Sequence, residues 1–121
     1  MIFHELNKEG ILYIVLTDKV NKEDILNFLK EFQSFDHLPE DVKLLYNFQK
    51  AEIDLAADQL KEIAELADIV TEKYQSVKTA FLVDEPVVTA YSYLFSRMDQ
   101  KENRERKVFS THIAAEEWLI V

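Results

Sequence analysis

Apolar residues in this chain change their spacing in strict turn, from every second position to about every 3.6 and back, over its whole length. A period of two puts alternate side chains on one face of a strand, whereas a period of about 3.6 lines them along one side of a helix. Phe3 to Leu6 and Ile11 to Leu16 are strand-like and flank the single glycine, Gly10, which predicts an antiparallel hairpin. Asn21 can cap a helix, with Asp24 three residues on, and Ile25, Phe28, Leu29, Phe32 and Phe35 then share one side. Val42 to Phe48 reads as a buried strand. Asp54 can cap a second helix with Leu55, Leu60, Ile63, Leu66, Ala67 and Val70 inward and Lys61, Glu65, Asp68 and Glu72 outward.

Val77 to Val83 is a third internal strand. Pro86 fits the first turn of a further helix, where its missing N–H costs nothing, and Val87, Ala90, Tyr91, Leu94, Phe95 and Met98 form the stripe. The run from Asp99 to Arg106 is polar and mixed in sign, which predicts a solvated loop. Lys107 to Phe109 is a short last strand, and Ser110 or Thr111 caps a closing helix through Ala115, Trp118 and Leu119. The resulting order, β-β-α-β-α-β-α-β-α, predicts an α/β domain over residues 1–121. Its five-stranded sheet is expected to be mostly parallel, with the first strand antiparallel, because strands joined through helices run side by side in one direction.

Composition removes several functions. A phosphate cradle needs converging backbone N–H groups and usually several glycines, and here Gly10 is committed to a turn. The net charge of −9 opposes binding to a nucleic-acid backbone or to anionic lipid headgroups. No run approaches the roughly 18 to 20 apolar residues of a membrane span, and the first residues, Met1-Ile2-Phe3-His4-Glu5, lack the pattern of a secretion signal. The chain has no cysteine, so disulfides and thiolate metal sites are absent, and the expected compartment is the cytoplasm.

Three stretches carry a family resemblance. The first is Gly10 to Asp24, a strand followed by Asp18 to Asp24 entering a helix; the second is Val42 to Asp54, where a strand ending Leu44-Leu45-Tyr46-Asn47 leads to a helix cap. The third joins Lys78 to Leu94 with Lys107-Val108-Phe109-Ser110 and Ala115-Glu116-Glu117-Trp118-Leu119. Together they resemble the STAS-like (SpoIIAA-like, anti-sigma-factor-antagonist-like) family of small bacterial proteins. The resemblance implies a non-enzymatic regulatory module that binds a protein partner, and self-association into a homodimer is compatible with it. It also implies a phosphorylated Ser or Thr at the start of the second helix. This chain departs from that pattern, having no hydroxyl residue from Phe48 to Glu65. A looser branch of the same fold resembles lipid-transfer domains, which implies instead a carrier of a small apolar or lipid-like ligand.

The candidate site residues fall into two groups. Asn47, Asp54, Asp84 and Glu85 are all expected at the carboxyl ends of strands, the edge where open α/β sheets collect ligands. Paired acids there could do proton work, although Asp54 and Asp84 or Glu85 can equally serve as helix caps. Phe28, Phe32, Tyr91 and Phe95 could line an apolar pocket, a spacing that also serves an ordinary core. The second helix carries an acidic face, Asp58, Glu62, Glu65 and Asp68, suited to a basic partner or simply to water. His4, His37 and His112 lie in separate elements, so no metal site and no cofactor is expected. Ser92, His112 and Asp84 compose a triad on paper, but no glycine-flanked nucleophile elbow accompanies Ser92, and no catalytic residue is assigned.

Overall fold

The computed structural model describes residues 1–84 and 103–121. Strands β1 (Ile2–Leu6), β2 (Ile11–Asn21), β3 (Asp41–Asp54), β4 (Ser76–Leu82) and β5 (Arg104–Phe109) form one sheet in sequential order, β1-β2-β3-β4-β5. β1 pairs antiparallel with β2, and every other neighbour is parallel. Helices α1 (Lys22–Gln33), α2 (Ala57–Thr71) and α3 (His112–Ile120) complete the described elements. The α/β class, the element order within these residues and the antiparallel first strand are as the sequence predicts. The helix expected from Pro86 to Met98 lies outside the described residues.

The hairpin closes as the glycine requires. Gly10 has φ +81°, and Asn7 Oδ1 accepts the N–H groups of Glu9 at 3.0 Å and Ile11 at 2.8 Å. An added Cβ at Gly10 would meet nothing within 4 Å, so the demand there is conformational and not steric crowding. α1 starts with a full capping box. Asn21 Oδ1 accepts the Asp24 N–H at 3.0 Å, and the Asn21 N–H donates to Asp24 Oδ2 at 2.9 Å. α3 is capped by Thr111, whose Oγ1 accepts the Ala114 N–H at 3.2 Å.

β2 runs on to Asn21 instead of ending near Leu16, and two further boundaries differ from the sequence reading. β3 does not stop near Phe48 but runs to Asp54, through a bulge: Val15 pairs with Asn47 and Thr17 with Lys50, so β3 carries one extra residue over this step. Before the bulge the even positions Val42, Leu44, Tyr46 and Phe48 face α1 and α2; after it the odd positions Ala51, Ile53 and Leu55 do so. The bulge thus reverses the alternation and lets both halves of a 14-residue strand bury apolar side chains in one core. As a result Asp54 is the last residue of β3 and does not cap α2. That helix begins after Ala56, whose N–H donates to Gln59 Oε1 at 2.8 Å.

The second difference is at the end of the polar run. Arg104 to Arg106 belong to β5 instead of a loop, because β4 offers an unfilled parallel edge and Val77 to Thr79 pair with them. Arg104 is held by α2's C-terminal end: its Nη2 donates to the carbonyls of Thr71 and Tyr74, both at 2.9 Å. A cation there meets the negative end of the helix dipole and orphan carbonyls together.

The sheet has a packed core on each face. Leu12, Ile14, Leu16, Val20, Val42 and Leu44 pack against α1 and α2, where Phe28, Leu29, Phe32, Leu60 and Ile63 are buried. Ile11, Leu45, Ala80 and Leu82 meet Ala115 and Leu119 of α3 on the other face.

Candidate functional site

The face under α1 and α2 is not completely filled. A cavity of about 90 Å³ lies between the helices and the sheet. Its floor is aromatic, because alternate positions of β3 and the neighbouring position of β4 bring three rings together. Tyr46 and Phe48 stack with centroids 6.2 Å apart, and Phe81, Tyr46's partner in the β3–β4 register, lies 5.7 Å from it. Phe28 descends from α1 and meets Tyr46 edge-on at 6.2 Å. Leu60, Ile63 and Ala67 of α2 form the opposite wall. A void lined by hydrocarbon offers water too few partners, so it stays dry or takes an apolar guest.

One wall is polar. Arg106 reaches the cavity from β5 with a side chain only 7% exposed, and its Nη2 donates to Asp68 Oδ1 at 3.0 Å. Asp68 is 18% exposed, so it belongs to an ion pair screened from water instead of the wet helix face expected from its spacing. Burial pushes the Tyr46 phenol well above its usual range, with the Arg106 cation pulling the other way. Tyr46 is therefore a neutral wall at physiological pH.

Of the sequence-predicted pocket residues, Phe28 and Phe32 line this cavity, and Tyr91 and Phe95 lie outside the described residues. The strand-end group does not assemble among the described residues. Asn47 lies mid-strand at the bulge, on the α3 face, where its Oδ1 accepts the Gln49 N–H at 2.9 Å. Asp54 is seven positions further along β3, its side chain 64% exposed and 4.0 Å from Lys19 Nζ. Asp84 is exposed beyond β4, and Glu85 lies outside the described residues.

Asn47 instead joins a different polar group on the α3 face. His112 Nδ1 lies 3.4 Å from Glu116 Oε1, and His112 Nε2 lies 3.5 Å from Asn47 Nδ2. The imidazole also stacks on Tyr13, with centroids 6.4 Å apart. The Tyr13 phenol is pushed up to about 12 by partial burial, by its hydrogen bond to Glu116 and by the charges of Glu116 and Glu9. His112 is thus partnered by Asn47 and Glu116 and not by Asp84, the acid the triad would require. Among the described residues no three His, Cys, Asp or Glu side chains converge in a way that could hold a metal ion. No described helix is long and apolar enough to cross a membrane.

Tyr46, Phe48, Phe81 and Arg106 escaped the sequence reading as site residues. The first three were legible as strand positions, but only the β3–β4 register stacks them. Arg106 was masked by the polar run that precedes it.

A five-stranded mixed sheet with an antiparallel leading strand, with α1 joining β2 to β3 and α2 joining β3 to β4, is consistent with a SpoIIAA-like fold. The structure matches an uncharacterised protein of the DUF3478 family with a SpoIIAA-like fold, from Shewanella loihica PV-4. The TM-score is 0.63 at 15% sequence identity, covering 98% of this chain and 92% of that one. At this identity the likeness shows the fold alone. No family model and no curated protein matches the sequence.

Proposed function

We propose that this protein is a non-catalytic binding module that holds a small apolar ligand between its sheet and helices α1 and α2. The observation that carries the reading is the aromatic-floored cavity of about 90 Å³, in a domain whose opposite face is closed by α3. Cavities of this kind are few in protein interiors, and a dry one loses the contacts a guest would restore. Among the described residues nothing lines it in a form suited to proton transfer. Tyr46 is held neutral, and Arg106 and Asp68 neutralise each other.

Toluene is the direct probe. Titrated into isotopically labelled protein, it should shift the methyl resonances of Leu44, Leu60 and Ile63 and leave those of Leu45 and Leu119, under α3, in place. Saturation with toluene without movement of the first set would remove the carrier reading. Native mass spectrometry on gently purified protein offers a second readout, a mass excess that disappears on denaturation.

One observation favours a second reading, the regulatory protein-interaction module implied by the resemblance. Ile113 and Ile120 are 71% and 49% exposed, and at seven residues apart they lie along one side of α3. An outward apolar line of this kind suits a protein partner or a second copy of the chain. If a homodimer forms there, sedimentation over a concentration series should show association that I113D with I120D abolishes. A monomer at every concentration would leave the homodimer without support.

A further inference from the structure

Building on the carrier reading, we infer that the cavity's ligand is a neutral single-ring compound bearing one hydrogen-bonding oxygen, its ring between Phe28, Phe48 and the α2 wall and its oxygen served by the hydroxyls of Tyr46 and Thr79. Size sets the apolar part. A cavity of about 90 Å³ is smaller than the ~150 Å³ apolar cavities that admit benzene, so a single ring with slight yielding of the walls is the upper limit. A long acyl chain does not fit. The neighbouring rings set its character: Phe28 meets Tyr46 edge-on and Tyr46 stacks with Phe48, both at 6.2 Å, and such surroundings favour an aromatic guest over a branched aliphatic one.

The oxygen follows from two hydroxyls left without partners among the described residues. Thr79 alternates with Val77 and Phe81 along β4, so its side chain faces the same side of the sheet, and it borders the cavity while only 7% exposed. The phenol of Tyr46 borders it from the next strand, β3. No described group hydrogen-bonds either hydroxyl. Thr71, which also borders the cavity, shows the usual outcome: its Oγ1 donates to the Ala67 carbonyl at 2.7 Å. Tyr74 carries an unpartnered hydroxyl as well, but packing seals it and it does not border the cavity. Buried hydroxyls are hydrogen-bonded in most folded proteins, so two left open on one void mark where a partner enters. Burial keeps the Tyr46 proton in place against the pull of the Arg106 cation, so this phenol is a donor at physiological pH. Thr79 can donate or accept. Neutrality of the guest follows, because two hydroxyls do not replace the hydration that an ion would shed on entering.

Phenol and toluene test the inference, because they differ by a hydroxyl in place of a methyl. Binding is read at neutral pH by the methyl chemical shifts of Leu44, Leu60 and Ile63. A purely apolar void would favour toluene, since phenol gives up water from its hydroxyl on entering. Wild-type protein should instead bind phenol at least as tightly as toluene. The double variant Y46F/T79V removes both hydroxyls at nearly constant shape. It should bind phenol at least tenfold more weakly and keep its affinity for toluene, which also shows the cavity intact. Tighter binding of toluene than of phenol by the wild type, a smaller loss of phenol in the double variant, or loss of both compounds together there overturns the hydrogen-bonding assignment while leaving the apolar site. Absence of binding by either compound to the wild type overturns the carrier reading itself.

Discussion

Filling the cavity is the most informative perturbation, because stability and binding should move in opposite directions. Ala67 lines the void from α2, and Leu is nearly as good a helix former as Ala, so Ala67→Leu delivers three carbons to the space without disturbing the helix. An empty apolar void costs about 24 cal/mol per Å³, so 90 Å³ sets a ceiling of about 2 kcal/mol on what filling can return. Three added carbons are worth about 2.4 kcal/mol in transfer, which already meets that ceiling. Imperfect fit in a packed interior takes back about 1 kcal/mol. The expected net gain is therefore about 1 kcal/mol, or roughly 4 °C in Tm for a domain of this size.

Urea unfolding followed by far-ultraviolet circular dichroism measures this directly, as a higher midpoint at unchanged slope. The same variant should bind toluene at least tenfold more weakly, since the added side chain occupies the guest's place. Destabilisation by more than about 1 kcal/mol would mean that the walls already meet, since overpacking costs about that much, and the cavity would cease to be a site. Stabilisation with toluene binding intact would place the guest somewhere else.

Three further outcomes check the local physics. Asn21→Ala opens the reciprocal cap of α1 and should cost about 1 kcal/mol in urea unfolding, against less than about 0.5 kcal/mol for Asp54→Ala, whose exposed carboxylate lies 4.0 Å from Lys19 and caps nothing. Raising the pH should weaken the fold. The phenols of Tyr46 and Tyr13 are both held above the usual value of 10, so the folded state retains protons that the unfolded chain releases. That stability is complete below pH 10 and declines as pH rises from 10 through about 12, the Tyr13 part being well under 1 kcal/mol because its ring is partly solvated. Phenolate absorbance should accordingly show Tyr46 ionising only with unfolding, and Tyr46→Phe should flatten the alkaline decline. Phe32→Ala, at a ring 1% exposed between Phe28, Phe35 and Tyr74, should cost about 3 to 5 kcal/mol.

The fold was legible in the sequence wherever one rule acted alone. Gly10, Asn21 with Asp24, and Thr111 each do locally what their side chains or backbone freedom dictate. The reading failed where a partner decided the outcome. Alternation in β3 breaks at Phe48 and Gln49, which looks like a strand end. It is a bulge, and only the neighbouring β2, continuing to Asn21, keeps β3 extended to Asp54. That extension moved the start of α2 and removed Asp54 from its expected cap. Arg104 to Arg106 have the composition of a loop and became a strand because β4 supplied the pairing.

The candidate site divides along the same line. Phe28 and Phe32 were visible from helical spacing, which marks a face but not whether that face is full. The difference between a packed core and a site lies in side-chain volume across the two faces of the sheet. Under α3 the contacts are made by Ala80 and Ala115 with Leu45, Leu82 and Leu119, small and branched groups that let helix and sheet close on each other. Under α1 and α2, rings from β3 and β4 stack, Phe28 of α1 meets Tyr46 edge-on, and the small residues Ala67 and Thr71 line the remaining space. Rigid rings hold the walls apart, and small residues behind them leave space. The asymmetry between the two faces, more than any single residue, closes one side of this sheet and leaves a cavity on the other, and it is the ground on which the carrier reading is proposed.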